Sequence, residues 1–213
     1  MQFRVISVER EYGSGGANIA RRLAEDLGWK LWDQDITAEI ARVANVDHKA
    51  AARCDERVDS LLSRLFRVYA RGSYERSLPV GDSHGFNTDR MFAMLQKVVN
   101  DIAAQGNCVI VGRGSPFFLR DKPDVFRVFV YAPINEKIRR VMALGKSEKE
   151  ARQLVEEIDR ERATFIRHYF NAEWPYRALY HLMLNSEFGD EHVVQAIRQN
   201  MQDLAHHRAE RTA

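Results

Sequence analysis

Residues 9–28 read EREYGSGGANIARRLAEDLG, and the fold turns on what this stretch joins. Before it, Phe3 to Val8 (FRVISV) is short and rich in branched residues, which predicts a strand ended by Gly13, Gly15 and Gly16. After it, Ile19, Ala20, Leu23, Ala24 and Leu27 recur at three- and four-residue spacing, with Arg21, Arg22, Glu25 and Asp26 opposite. Gly28 then stands where a helix C-cap belongs. The stretch is a glycine loop between a strand and an amphipathic helix. A helix N-terminus offers unsatisfied N–H groups and partial positive charge, and a glycine-rich turn lets the backbone close around a phosphate. Glycine also serves ordinary strand-to-helix turns, so the cluster alone supports a plain turn as well as a phosphate cradle.

Working outward, Trp29 to Trp32 (WKLW) predicts a short second strand whose end presents Asp33, Gln34 and Asp35. A helical region follows to about residue 70, with Val58, Leu61, Leu62, Leu65, Phe66 and Tyr69 as its apolar face. Residues 71–87 form a polar loop, and Asn87 or Thr88 caps a helix whose face is Met91, Phe92, Leu95, Val98, Val99 and Ile102. Cys108 to Val111 (CVIV) and Val125 to Ala132 (VFRVFVYA) are continuous apolar runs, the pattern of strands buried on both faces of a parallel sheet. A charged helical stretch spans 135–168, Leu182 to Leu184 gives a last strand, and a final helix spans 190–204 before a frayed tail, HHRAERTA. Strands alternating with helices predict an α/β three-layer sandwich around a central parallel sheet of about five strands.

The Walker form of the phosphate loop, GxxxxGK[ST], adds a lysine for the β and γ phosphates and a hydroxyl for magnesium. Laid against it, the lysine position is Gly16 and the hydroxyl position Ala17, so both specialised side chains are missing. Arg10, at the first position of the pattern, is the candidate replacement cation, and Ser14 or Asn18 the candidate magnesium-side ligand. Arg113 follows CVIV at the end where open α/β sheets bind ligands, which makes it a candidate for the acceptor phosphate. Asp33 ends the neighbouring strand; its carboxylate can hold magnesium through water or accept a hydrogen bond from an acceptor, while Asp35 caps the next helix. The histidines His168, His181, His206 and His207 lack partners at metal-ligand spacing.

REYGSGG, followed by LAEDLGWKLWD and CVIVGRGS, resembles the cytidylate kinase-like family, a branch of the P-loop nucleoside monophosphate kinases. The likeness continues through DRERATFIRHYF (159–170) and YHLMLNS (180–186). That branch carries REYGSGG in place of the lysine-containing loop. The resemblance implies one kinase-like domain over 1–213: a core of 1–35 and 88–213, a helical acceptor-binding insert at about 36–87, and a lid at about 145–177. It implies transfer of the ATP γ-phosphoryl group, with Mg2+, to a pyrimidine nucleoside monophosphate, CMP or dCMP. The site set is then Tyr12, Gly13, Ser14, Gly15, Gly16, Ala17 and Asn18 for the ATP phosphates, Asp33 and Arg113 for the acceptor, and Ser14 with Asp33 for the metal. Arg10 and the lid arginines Arg160, Arg162 and Arg167 are the catalytic cations. Arg160 and Arg167 are preferred, because seven residues place them on one helix face two turns apart, whereas Arg162 points elsewhere on a regular helix. Tyr169, Phe170 and Trp174 pack the base of the lid, and Gly145 and 171–175 are its hinges.

Two other readings stay open. Asp33 and Asp35 form a D-x-D spacing similar to the acceptor site of shikimate kinase-like enzymes, and the missing lysine is compatible with a regulatory nucleotide binder that has lost turnover. Composition bounds all three. A formal charge of +2 over 213 residues argues against a dedicated nucleic-acid or membrane binder and leaves small anionic nucleotides as partners of a monomer or homodimer. The two cysteines, Cys54 and Cys108, have no metal spacing. Together with an N-terminus lacking a signal-like apolar run, they predict a reducing, cytoplasmic setting.

Overall fold

The computed structural model describes residues 2–33, 35, 36, 39 and 88–210. Its strands are β1 (Val5–Arg10), β2 (Lys30–Trp32), β3 (Cys108–Val111), β4 (Val125–Tyr131) and β5 (Leu182–Asn185). All pair in parallel, in the order β2-β3-β1-β4-β5, so β1 is central and its C-terminal end opens between those of β3 and β4. Every residue of β1 is buried, as a strand covered on both faces requires.

The helices are α1 (Gly16–Leu27), α2 (Thr88–Gln105), α3 (Ser115–Phe118), α4 (Ile134–Met142), α5 (Glu148–Phe170) and α6 (Asp190–Glu210). One face of the sheet packs Ile6, Val8, Val109 and Val128 against Ile19 and Leu23 of α1 and Val193 and Ile197 of α6. The other packs Val5, Ile110 and Phe129 against Leu95 and Val99 of α2 and Phe165 and Ile166 of α5. This is the three-layer α/β sandwich that the alternation of strands and helices predicts. Cys108 is free and buried in that second core, and burial pushes its thiol up to about 11, keeping it protonated and inert.

Three boundaries differ from the sequence reading, each for a local reason. β1 runs on through Glu9 and Arg10, which pair in register with Phe129 and Val130; two charged residues enter a buried strand because Arg10 Nη1 lies 3.3 Å from Glu9 Oε1. The single helix expected over 135–168 is two, broken at Gly145 (φ 88°) and restarted at Ser147. Ser147 and Glu150 form a reciprocal capping box, a start signal written inside the charged run. The expected frayed tail is helical as far as Glu210, and Arg208 Nη1 donates to the Pro123 carbonyl at 2.8 Å. Among the described residues no helix is long and apolar enough to cross a membrane. The expected apolar face at 58–69, the polar loop 71–87, Cys54 and nearly all of the helical insert lie outside the described residues.

Candidate active site

The glycine loop leaves β1 at Arg10 and enters α1 at Gly16. Gly13 and Gly15 take φ of 75° and 78°, the left-handed region where a side chain is strained. α1 begins without a side-chain cap, so its first turn presents backbone N–H groups rather than covering them. Ser14 is fully buried and its Oγ donates to the Glu11 carbonyl at 2.8 Å, which closes the loop on itself. Asn18 turns to the outside, its Nδ2 donating to Asp190 at 2.5 Å.

Position 16, where the Walker pattern has its lysine, has no room for a side chain. A Cβ on Gly16 would stand 2.6 Å from the Arg10 Cβ and 2.9 Å from its Cγ, so the stem of this arginine fills the room a side chain at position 16 would need. The Arg10 guanidinium then passes over Gly112, where a Cβ would collide with its Nη1. Glycines at 16 and 112 clear the path of the Arg10 side chain across the strand ends.

Arg113, the next residue, is 1% exposed, and its Nη2 donates to the Asp33 carbonyl at 3.2 Å. Asp33, at 6% exposure, directly follows β2, so the C-terminal ends of three adjacent strands bring Asp33, Arg113 and Arg10 to the same side of the sheet. Gly112, Arg113 and Gly114 have φ of 64°, 63° and 67°, three left-handed residues in succession. At Gly114 the absent Cβ leaves room for the Phe170 ring.

The three arginines of α5 divide as the helical spacing says, with a reversed geometric result. Arg160 and Arg167 share a face of α5, and that face is exposed. Arg162 is buried, and its Nη1 donates to the Arg10 carbonyl at 2.8 Å, so it alone of the three reaches the glycine loop in this conformation. Tyr169 and Phe170 pack with Phe92, Phe117 and Phe165 at the base of α5, and Trp174 packs edge-on against Phe129.

Several residues at the loop escaped the sequence reading. Arg140 of α4 lies where a Gly15 Cβ would be, donating to the Ser14 carbonyl (3.3 Å), Asp190 Oδ1 (2.8 Å), the Ser186 carbonyl (2.9 Å) and Glu136 Oε1 (2.8 Å). Burial pulls its pKa down, but the Glu136 and Asp190 carboxylates prevail and raise it. Lys137 is held between Glu11 Oε2 (2.9 Å) and Asp159 Oδ2 (3.1 Å), whose charges outweigh desolvation in the same way. The links of Arg140 and Lys137 to Ser14, Glu11 and Asp159 join residues 22 to 126 apart, and no local pattern marks them.

The family model of the cytidylate kinase-like family matches residues 5–187, which takes in the loop, the Asp33–Arg113 edge and all of α5. The chain belongs to the cytidylate kinase-like family. No curated protein matches this cytidylate kinase-like chain. Among solved structures, an uncharacterized protein from Eubacterium ventriosum ATCC 27560 is similar at 22% identity and a TM-score of 0.64, over 94% of this chain and 99% of its own. A gluconokinase from Sinorhizobium meliloti 1021 aligns at 13% identity and a TM-score of 0.57 over 100% of both chains. A shikimate kinase from Acinetobacter baumannii, in complex with shikimate, aligns at 17% and 0.51 over 94% of both. At these identities the neighbours speak for the fold, that of P-loop kinases. Family and fold together make the cytidylate kinase-like chain a P-loop kinase by architecture.

Proposed function

We propose that this protein transfers the γ-phosphoryl group of ATP to a pyrimidine nucleoside monophosphate, CMP or dCMP. The observation that carries the reading is the convergence of Arg10, Arg113 and Asp33 beside an uncapped helix N-terminus, in a chain whose family is cytidylate kinase-like. Phosphoryl transfer asks little covalent work of a protein; it needs neutralised phosphates, an aligned acceptor and exclusion of water. In this reading the loop N–H groups from Gly13 to Asn18 cradle the donor phosphates, and Arg10 supplies the charge that a lysine supplies elsewhere. Arg113 binds the acceptor phosphate, and Asp33 orients the acceptor.

Ser14 fits a magnesium-side role, because donating its proton to the Glu11 carbonyl leaves oxygen lone pairs for a hard cation. Ser14 and Asp33 would hold the Mg2+, which would supply charge neutralisation between the phosphates. Arg160 and Arg167, exposed on α5, are the cations a closing lid would bring over the transferred group, and the segments around Gly145 and 171–175 are its pivots. In this reading 1–213 is one kinase-like domain, and the stretch at about 36–87 serves acceptor binding.

A specific observation favours a second reading. The positions of the Walker lysine and hydroxyl are Gly16 and Ala17, and the room for a lysine is filled, which suits a nucleotide-binding regulator without turnover. One assay separates them: ADP formation by purified protein with ATP and Mg2+ against CMP, dCMP, UMP, AMP and shikimate, beside Arg113→Ala. Turnover on one pyrimidine monophosphate that disappears in the variant supports the kinase. ATP binding without turnover on any acceptor supports the regulator, and turnover on shikimate alone refutes the nucleotide acceptor.

A further inference from the structure

The start of the glycine loop is held by helix α5 through one carboxylate. Asp159 Oδ1 accepts from the Tyr12 backbone N–H at 2.7 Å and lies 3.5 Å from Arg162 Nη1; its Oδ2 takes Lys137 Nζ at 3.1 Å. Arg162 continues to the Arg10 carbonyl, and Lys137 to the Glu11 carboxylate. Three consecutive loop residues, 10, 11 and 12, are therefore each tied to the same cluster, one by its carbonyl, one by its side chain and one by its N–H. The Tyr12 ring packs with Ile138, Val141, Ala151 and Val155, the small core between α4 and α5. Two carboxylates face two cations here, so removal of one member leaves a largely buried charge poorly compensated.

We propose that Asp159 is a positioning residue through which α5 sets the geometry of the phosphate loop, coupling lid position to ATP affinity. This rests on the reading of the loop as the ATP phosphate site. The loop cannot shift at Tyr12 without breaking the Asp159 bond, and α5 cannot swing about its ends without pulling residues 10–12 with it. The lid is thus latched to the loop near the middle of its long helix, and its conformation and the donor site change together.

The test compares wild type, Asp159→Ala and the nearly isosteric Asp159→Asn, which keeps an acceptor oxygen for Tyr12 N–H. Amide exchange of residues 10–16 is measured without nucleotide, ATP affinity by calorimetry, and KM for each substrate where turnover exists. The expected result is faster exchange at Tyr12 and Gly13 in Asp159→Ala. ATP affinity should be weakened about tenfold or more, as for a lost hydrogen bond to a charged group, and partly recovered in Asp159→Asn. The acceptor KM stays near wild type. Unchanged exchange and ATP affinity in a folded Asp159→Ala overturn the proposal, as does an effect confined to the acceptor KM, which would make Asp159 a substrate contact. Should Asp159→Ala not fold, Asp159→Asn decides by the same exchange and affinity readouts. If the wild type binds no ATP, the kinase reading fails, while the exchange difference still tests the latch.

Discussion

The stem of Arg10 occupies the space that any side chain on Gly16 would need, with 2.6 Å between the Arg10 Cβ and a Cβ built at position 16. Restoring a lysine by Gly16→Lys therefore does not restore a Walker loop. It forces two stems into one volume, and the expected outcome is a loss of stability of about 1–3 kcal/mol with weaker ATP binding. Thermal melts and calorimetry on this variant check it, and tighter ATP binding would refute the account of Arg10.

Removing Arg10 tests its charge. Arg10→Ala takes a partner from the buried Glu9 carboxylate, so it lowers stability by roughly 3 kcal/mol as well as weakening ATP binding. Adding Glu9→Gln removes the exposed cost. In the double variant the melting temperature should return toward wild type while ATP affinity stays low; recovery of both would mean that Arg10 serves the fold alone.

Gly112→Ala addresses the same guanidinium from the far side. The position has φ of 64° and a Cβ there meets Arg10 Nη1. Backbone strain costs about 1–2 kcal/mol, and the displaced guanidinium reduces ATP affinity without touching the loop. Equal ATP affinity in the two proteins would place Arg10 away from the phosphates.

The three arginines of α5 should separate cleanly. Arg162→Ala leaves Asp159 and the Arg10 carbonyl short of a buried donor and lowers stability by about 2–4 kcal/mol. Arg160→Ala and Arg167→Ala, on the exposed face, stay within about 0.5 kcal/mol of wild type, and any effect they have falls on turnover. Denaturant melts beside initial rates make the comparison.

His181 predicts an acid-side loss of stability. Its Nδ1 accepts the Arg127 N–H at 3.0 Å, its ring stacks on Phe126, and burial together with the Arg127 and Arg208 charges lowers its pKa to about 4. The folded state holds the proton less well than the unfolded state, whose histidine titrates near 6.5. This contribution is full above about 6.5 and is lost as pH falls toward 4, amounting at most to about 3 kcal/mol. Melting temperature against pH for wild type and His181→Asn should diverge in that window; parallel curves would refute the assignment.

What the sequence revealed and what it hid follow from the range of each interaction. β3 is legible to the residue in CVIV, because four apolar residues bounded by turn signals have no other use, and α1 is legible from its spacing and from Gly28, whose N–H closes on Ala24. The end of β1 was hidden by charge, because Glu9 and Arg10 look like loop residues until their mutual pairing is seen; the helix break fell inside a stretch read as one charged helix, although Gly145 was singled out there as a hinge. Arg113 and Asp33 were legible as neighbours past the ends of two strands, which is where they lie. The heptad spacing of Arg160 and Arg167 gave their shared face correctly but not the direction of that face, which depends on how α5 packs over the sheet. Arg140, Lys137 and Asp159 meet the loop only through the tertiary fold, and no periodicity points to them.

Three successive left-handed residues, with an arginine in the middle, set the backbone of this turn against its side chain. Glycine at position 113 would relax the turn by about 1 kcal/mol, but it would also empty the volume of a side chain that is 1% exposed and take a donor from the Asp33 carbonyl. The two terms oppose each other at a single codon, and a library randomised there and sorted by melting would return arginine if the buried guanidinium prevails and glycine if the backbone does.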